Sequence, residues 1–112
     1  MRFSPRVMQL VLGMFAVSGL ALASAAARPT APAAAVGAAL FKQKCSGCHA
    51  INGEGGKFGP DLGRVGSSRN RNYLAAKLRH PKKTNPSSFM PSFGDLPRDQ
   101  FESLLLYLEQ LR

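Results

Sequence analysis

The sequence predicts an all-α fold. Apolar residues recur at helical spacing near both ends of its soluble part, in "AAAVGAALFKQKC" and "PRDQFESLLLYLEQLR". A shorter segment between them, "NRNYLAAKLR", has the same period, and no stretch alternates apolar and polar residues as a half-buried strand would.

The chain of 112 residues opens with "MRFSPR", a basic start, followed by the almost wholly apolar run Val7 to Ala23 and then "SAAA". That order reads as a secretory signal peptide over residues 1–27, cleaved after Ala25 or Ala27. The alternative is an uncleaved anchor, because Val7 to Ala27 carries no charge and is about as long as a bilayer-spanning helix. A Pro/Ala-rich linker follows over residues 28–34, and the folded domain is expected over 35–112. At about 75–80 residues a hydrophobic core alone is marginal, so a buried cofactor or covalent staple is expected.

The first helix is read over Ala33 to Cys45, with Val36, Leu40 and Phe41 inward and Lys42 and Lys44 outward. Gly37, Phe41 and Cys45 are spaced by four and share a face. A glycine there costs about 1 kcal/mol relative to alanine, which points to close approach by another helix. The next segment, "INGEGGKFGPDLGRVGSS", is too rich in glycine for regular structure and is read as a loop wrapped over something flat or bulky. A short amphipathic helix runs from about Asn70 to Arg79 with Leu74 and Leu78 on one stripe, and Pro81 ends it. "HPKKTNPSSFMPSFGDL" is expected to be extended. In the last helix, Pro97 suits the first position. Asp99 and Glu102 favour its positive end, and Phe101, Leu104, Leu105, Leu108 and Leu111 form its apolar stripe.

The net charge is +9, from 15 Lys+Arg against 6 Asp+Glu. A basic exported protein with no Trp and no basic-aromatic repeat does not read as a nucleic-acid binder. The charge fits an acidic protein partner; the membrane enters only if the leader stays attached.

Both cysteines lie in "KCSGCHA". In an oxidising compartment a lone pair of thiols must be bonded to something. A thioredoxin-like redox pair needs a βαβ setting, which is missing. A zinc site needs four ligands, and Cys45, Cys48, His49 and His80 supply them only with strain, because His49 adjoins Cys48. The third reading is covalent haem, for which C-x-x-C-H is the attachment pattern. At i and i+3 the two sulfurs point the same way, each able to form a thioether with one porphyrin vinyl group, and His49 follows to offer its imidazole to iron. After loss of the leader, which holds Met1, Met8 and Met14, Met90 is the remaining methionine. It sits in a proline-flanked irregular stretch and is preferred as second axial ligand. His80 is the rival, and an open sixth position is the third option.

These residues resemble the small class I c-type cytochromes of bacteria. The likeness spans about Ala35 to Arg112 and rests on "GAALFKQKCSGCHA", "GPDL", "MPSF" and "LLLYLEQL". It implies first and last helices packed together, with Gly37 and Phe41 against Tyr107, Leu104 and Leu108. It implies a single haem c, held through Cys45 and Cys48 and ligated by His49 and Met90. It also implies that the Pro60 turn supports His49 through a backbone carbonyl, expected from Gly59. Pro81, Lys82, Lys83, Pro86 and Met90 keep the spacing of the mitochondrial type. The family's propionate-binding Trp is missing, leaving Arg64, Arg69 or Arg71 as substitutes, and Lys77 falls where a tyrosine is common. Lysines ring the exposed haem edge in the family; Lys42, Lys44, Lys57, Lys82 and Lys83 are the candidates here. The expected function is a monomeric periplasmic electron carrier, not an enzyme, serving an oxidase, reductase or dehydrogenase. A haem subunit of an oxidoreductase complex is the alternative, and a sensor or peroxidase a third.

Overall fold

The computed structural model describes residues 31–112. The expected leader, residues 1–27, and the start of the linker lie outside the described residues. Helix α1 spans Ala31–Lys44, α2 Val65–Ser68, α3 Arg71–Arg79, α4 Pro81–Thr84 and α5 Arg98–Gln110. A small antiparallel hairpin, β1 Ala50–Ile51 with β2 Glu54–Gly55, pairs Ala50 with Gly55 and Ile51 with Glu54. The all-α expectation holds with this hairpin as its exception. Among the described residues no helix is long and apolar enough to cross a membrane.

The main interface of the fold is α1 on α5. Gly37 makes it possible: a Cβ at this position would run into the Ser103 carbonyl oxygen and lie 2.7 Å from Tyr107 Cβ. Phe41 meets Tyr107 one turn on, with ring centroids 5.7 Å apart and planes tilted by 56°. Leu40, Phe41, Cys45, Phe101, Leu104, Leu105 and Leu108 are buried here, and α3 adds Leu74 and Leu78. Val36, expected in this core, is half exposed. The buried face of α1 runs through Gly37, Leu40, Phe41 and Cys45, which turns Val36 outward.

Helix α3 has Asn70 as its N-cap, whose side chain accepts from the Tyr73 N–H at 2.9 Å. Arg71 at its first turn pairs with both Glu102 and Glu109 of α5. The chain then departs from two expectations. The glycine-rich segment contains the single turn α2, docked where the Gly66 N–H donates to the Leu111 carbonyl at 2.8 Å. The stretch expected to be extended from His80 starts with α4, in which Pro81 occupies the first turn. A proline loses nothing there, because that N–H would have no helical acceptor. Pro97 sits one place earlier than expected, as the N-cap of α5. Helix α1 likewise starts inside the Pro/Ala stretch expected as linker.

Candidate functional site: a cavity between the Cys-Cys-His turn and the methionine loop

The last turn of α1 continues directly into the cysteine segment. The Cys45 N–H donates to the Phe41 carbonyl at 2.8 Å, and the His49 N–H to the Cys45 carbonyl at 2.9 Å. This keeps Cys45 and Cys48 close to helical register, and the two are not joined by a disulfide. Cys45 is buried against the α1/α5 core while Cys48 is exposed. Burial pushes the Cys45 thiol up to about 11, with Cys48 adding to the rise and Lys44 opposing it.

The glycine-rich segment folds back over this turn. The Gly56 N–H donates to the Ser46 carbonyl at 2.9 Å and the Gly59 N–H to the Cys48 carbonyl at 2.7 Å. Gly59 lies flat on the imidazole of His49, where a Cβ would stand 2.5 Å from Cε1 and 2.7 Å from Nδ1. His49 Nδ1 lies 2.8 Å from the carbonyl oxygen of Pro60. A carbonyl only accepts, so Nδ1 carries the proton and Nε2 keeps its lone pair, the tautomer a metal-ligating imidazole requires. The supporting carbonyl thus belongs to Pro60, not Gly59. Gly59 contributes the space, and Pro60 the acceptor.

Asp61 secures the Pro60 turn from below. Its carboxylate accepts from the N–H groups of Asn52 at 3.1 Å, Gly53 at 2.7 Å and Gly63 at 2.7 Å. Gly63, then Gly53 and Asn52, hold this carboxyl below its usual value. Asn52 and Gly53 both have positive φ, 52° and 86°, as a two-residue hairpin turn needs.

Met90 comes from a separate loop, after α4. Asn85 Oδ1 accepts from the Ser87 N–H at 3.1 Å, and Ser88 Oγ from the Met90 N–H at 3.2 Å. Beyond Met90 the loop is pinned to the end of α3 through Ser92 Oγ to the Arg79 carbonyl, 2.6 Å, and Phe93 N–H to the Leu78 carbonyl, 2.8 Å. The methionine is therefore presented by a braced loop.

Cys45, Cys48, His49 and Met90 all line one cavity of about 900 Å³. Leu62, Val65, Leu74, Leu78, Phe93 and Leu108 supply apolar wall, and Arg64 and Arg69 also line it. This is large for a ligand site and mostly apolar, with a few polar groups of specific kinds. The two cysteines, a correctly protonated imidazole and a thioether around such a space fit a covalently attached haem. They do not fit zinc: among the described residues no three His, Cys, Asp or Glu side chains cluster to hold a metal ion. His80 does not line this cavity. It is exposed at the junction of α3 and α4, on an adjoining groove with Arg79, Lys82 and Lys83 that Met90 also lines. Arg71 is occupied by its two glutamates, leaving Arg64 and Arg69 as the arginines that line the cavity, beside Lys44 and Lys77.

The family model described as Cytochrome c matches residues 34–112. The chain belongs to the cytochrome c family. It is similar to a cytochrome c of Cochliobolus lunatus, 37% identical over 97 residues, covering 66% of this chain and 88% of that protein. It is also similar to cytochrome c oxidase subunit 2 of Alkalihalophilus pseudofirmus, 30% identical over 93 residues, which is 75% of this chain but only 27% of that subunit. The c-type cytochromes bind haem c covalently, and the two cysteines of this chain stand at the matching spacing. The chain is accordingly a small haem-binding electron carrier. Sequence reasoning missed Asp61, the exposed aromatic pair Phe58 and Phe89, and the ion pairs of Arg71.

Proposed function

We propose that this cytochrome is an exported, monohaem carrier of single electrons in the periplasm, with residues 1–27 removed as a signal peptide. Cys45 and Cys48 form the two thioethers, and His49 and Met90 are the axial ligands. The observation that carries this reading is the convergence of these four side chains on one apolar cavity from two separately braced loops.

Haem c supplies a one-electron iron couple, which His/Met ligation sets at a raised potential. The residues of the chain supply the rest. Pro60 accepts the Nδ1 proton and so fixes the ring of His49 with Nε2 available. The Ser88 and Ser92 contacts hold the methionine loop in place, limiting reorganisation around an electron transfer. Leu62, Leu74, Leu78 and Phe93 keep water from the interior. Arg64 and Arg69 are the candidates to neutralise propionates in place of the missing Trp. With His49 and Met90 both holding the iron, no position on it would be left for a substrate, and the chain would carry electrons without transforming a molecule. Lys42, Lys44, Lys57, Lys82 and Lys83 favour acidic redox partners, oxidases, reductases or dehydrogenases, whose attraction fades with salt. A second reading, a haem subunit of an oxidoreductase complex, is supported by the likeness to an oxidase subunit 2.

Size-exclusion of a native extract separates the two readings: a carrier elutes alone, a subunit with its complex. The purified protein should be red, show a sharp visible α-band on reduction, and retain haem through denaturing electrophoresis. A colourless protein, or haem lost on denaturation, would overturn the site assignment.

A further inference from the structure

Lys44, Arg64, Arg69 and Lys77 are the cations that line the cavity. The first three are exposed, whereas Lys77 is partly buried. Its place on α3 explains the difference. Leu74, Lys77 and Leu78 stand at i, i+3 and i+4 and share one helix face, on which both leucines are buried. The Lys77 ammonium donates to the Pro81 carbonyl at 3.3 Å. That carbonyl also accepts from Thr84 Oγ1 at 3.0 Å and from the Asn85 N–H at 3.1 Å, so it compensates the ammonium only in part. Among the described residues the ion pairs are those of Arg71. The one carboxylate lining the cavity, Asp61, is taken up by three backbone N–H groups.

Helix polarity does not require this charge to face the cavity. Arg79, the other basic residue in the last turn of α3, is exposed and stacks on the Phe101 ring, 4.3 Å from its centroid, without lining the cavity. It serves the negative end of the helix from outside. A poorly compensated cation beside a mostly apolar space costs stability, which calls for a function. The Pro81 contact places the ammonium at the C-terminal end of α3. The same end holds the methionine loop, through Ser92 to the Arg79 carbonyl and Phe93 to the Leu78 carbonyl. Arg64 and Arg69 come from the segment before the other end, and the nine residues of α3 span about 13 Å.

We infer that Lys77 sets the reduction potential: its ammonium, held on the Met90 side of the cavity, favours reduced over oxidised haem iron. This deepens the proposed carrier function and rests on it. Oxidation passes one electron to the redox partner and leaves one more positive charge in the cavity, which a fixed cation nearby repels. Partial burial strengthens that repulsion, and counterions screen it less than they screen an exposed lysine.

The test uses the full haem-loaded protein, with Lys77→Gln, Lys77→Leu, the charge-retaining Lys77→Arg, and Lys44→Gln as the exposed control. Redox titration at low and high salt is the readout. Covalent haem retention and the near-infrared methionine–iron band are recorded for each protein. Both neutral variants should lower the potential at either salt concentration, by about tenfold in the equilibrium constant for oxidation, or about 59 mV for one electron. Lys77→Arg should keep most of the wild-type value, and Lys44→Gln should give a smaller shift that fades with salt. Denaturant unfolding separates tuning from packing: Lys77→Leu should be at least as stable as the wild type while its potential falls. If leucine disturbs haem retention, the nearly isosteric glutamine decides. A potential unchanged in the neutral variants, with haem and band intact, would overturn the inference and leave the carrier reading standing. So would a shift that Lys77→Arg reproduces in full, which assigns it to packing, or one that vanishes at high salt, which places the ammonium in solvent. A band missing from the wild type that appears in Lys77→Leu would make Lys77 an iron ligand and overturn it too. Haem lost from the wild type on denaturation would contradict the site assignment itself, and this inference with it.

Discussion

His49 Nδ1 and the Pro60 carbonyl oxygen, 2.8 Å apart, set the tautomer of the imidazole on which the site depends, and Gly59 beneath the ring makes that distance attainable. Gly59→Ala should therefore displace the ring, because its Cβ would stand 2.5 Å from Cε1. Overpacking of this kind costs about 1–3 kcal/mol. Denaturant unfolding of the haem-loaded variant should show the loss together with a shifted visible spectrum. Wild-type stability and spectrum would contradict the close packing.

Gly37 makes a parallel case at the helix interface. In an isolated helix, alanine would gain about 1 kcal/mol over glycine. Here Gly37→Ala drives a methyl into the Ser103 carbonyl and against Tyr107. We expect a net loss of about 1–3 kcal/mol as α1 is levered off α5. A rise in the unfolding midpoint would mean that the interface relaxes freely.

Asp61 links stability to pH. Its carboxyl is held below the ordinary value of 3.8 by backbone donors, Gly63 foremost. A depressed pKa means that the stabilisation is present above the unfolded value and is lost as pH falls through the folded one. Asp61→Asn should thus be less stable than the wild type near neutral pH, with the gap closing below about pH 4. Denaturant midpoints measured against pH in both proteins check this; a gap independent of pH would assign the loss to shape rather than charge.

Cys45 and Cys48 are expected to hold the cofactor independently. Either Cys→Ala substitution should weaken haem retention on denaturing electrophoresis, and the double substitution should abolish it. Full retention in both single variants would rule out the thioether assignment.

The two terminal helices and their contact were legible because period and chemistry agreed. Gly37, Phe41, Leu104 and Leu108 mark the faces that meet, and Cys45, Cys48, His49 and Met90 stand out by residue type. What escaped has physical reasons. The turns Val65–Ser68 and Pro81–Thr84 are too short to display a helical period. The hairpin had an Asn-Gly signal at Asn52 and Gly53, but its strands of two residues each offer no alternation to read. Val36 followed the apolar spacing and still faces solvent, since the close approach at Gly37 sets the rotation of α1. Arg71 pairs with side chains 31 and 38 positions away, a separation that local patterns do not encode. The carbonyl facing His49 differs from the expected one by a single residue, a detail fixed by the fold of the loop. Phe58 and Phe89 lie in irregular segments and meet only because the fold sets them edge to face.

The central claim is that the cavity closes on iron with His49 on one side and Met90 on the other. The near-infrared methionine–iron charge-transfer band of the oxidised protein tests it most directly. The account predicts the band in the wild type and in His80→Ala, and its loss in Met90→Ala with haem still covalently bound. A band that survives Met90→Ala, or is missing from the wild type, would contradict it.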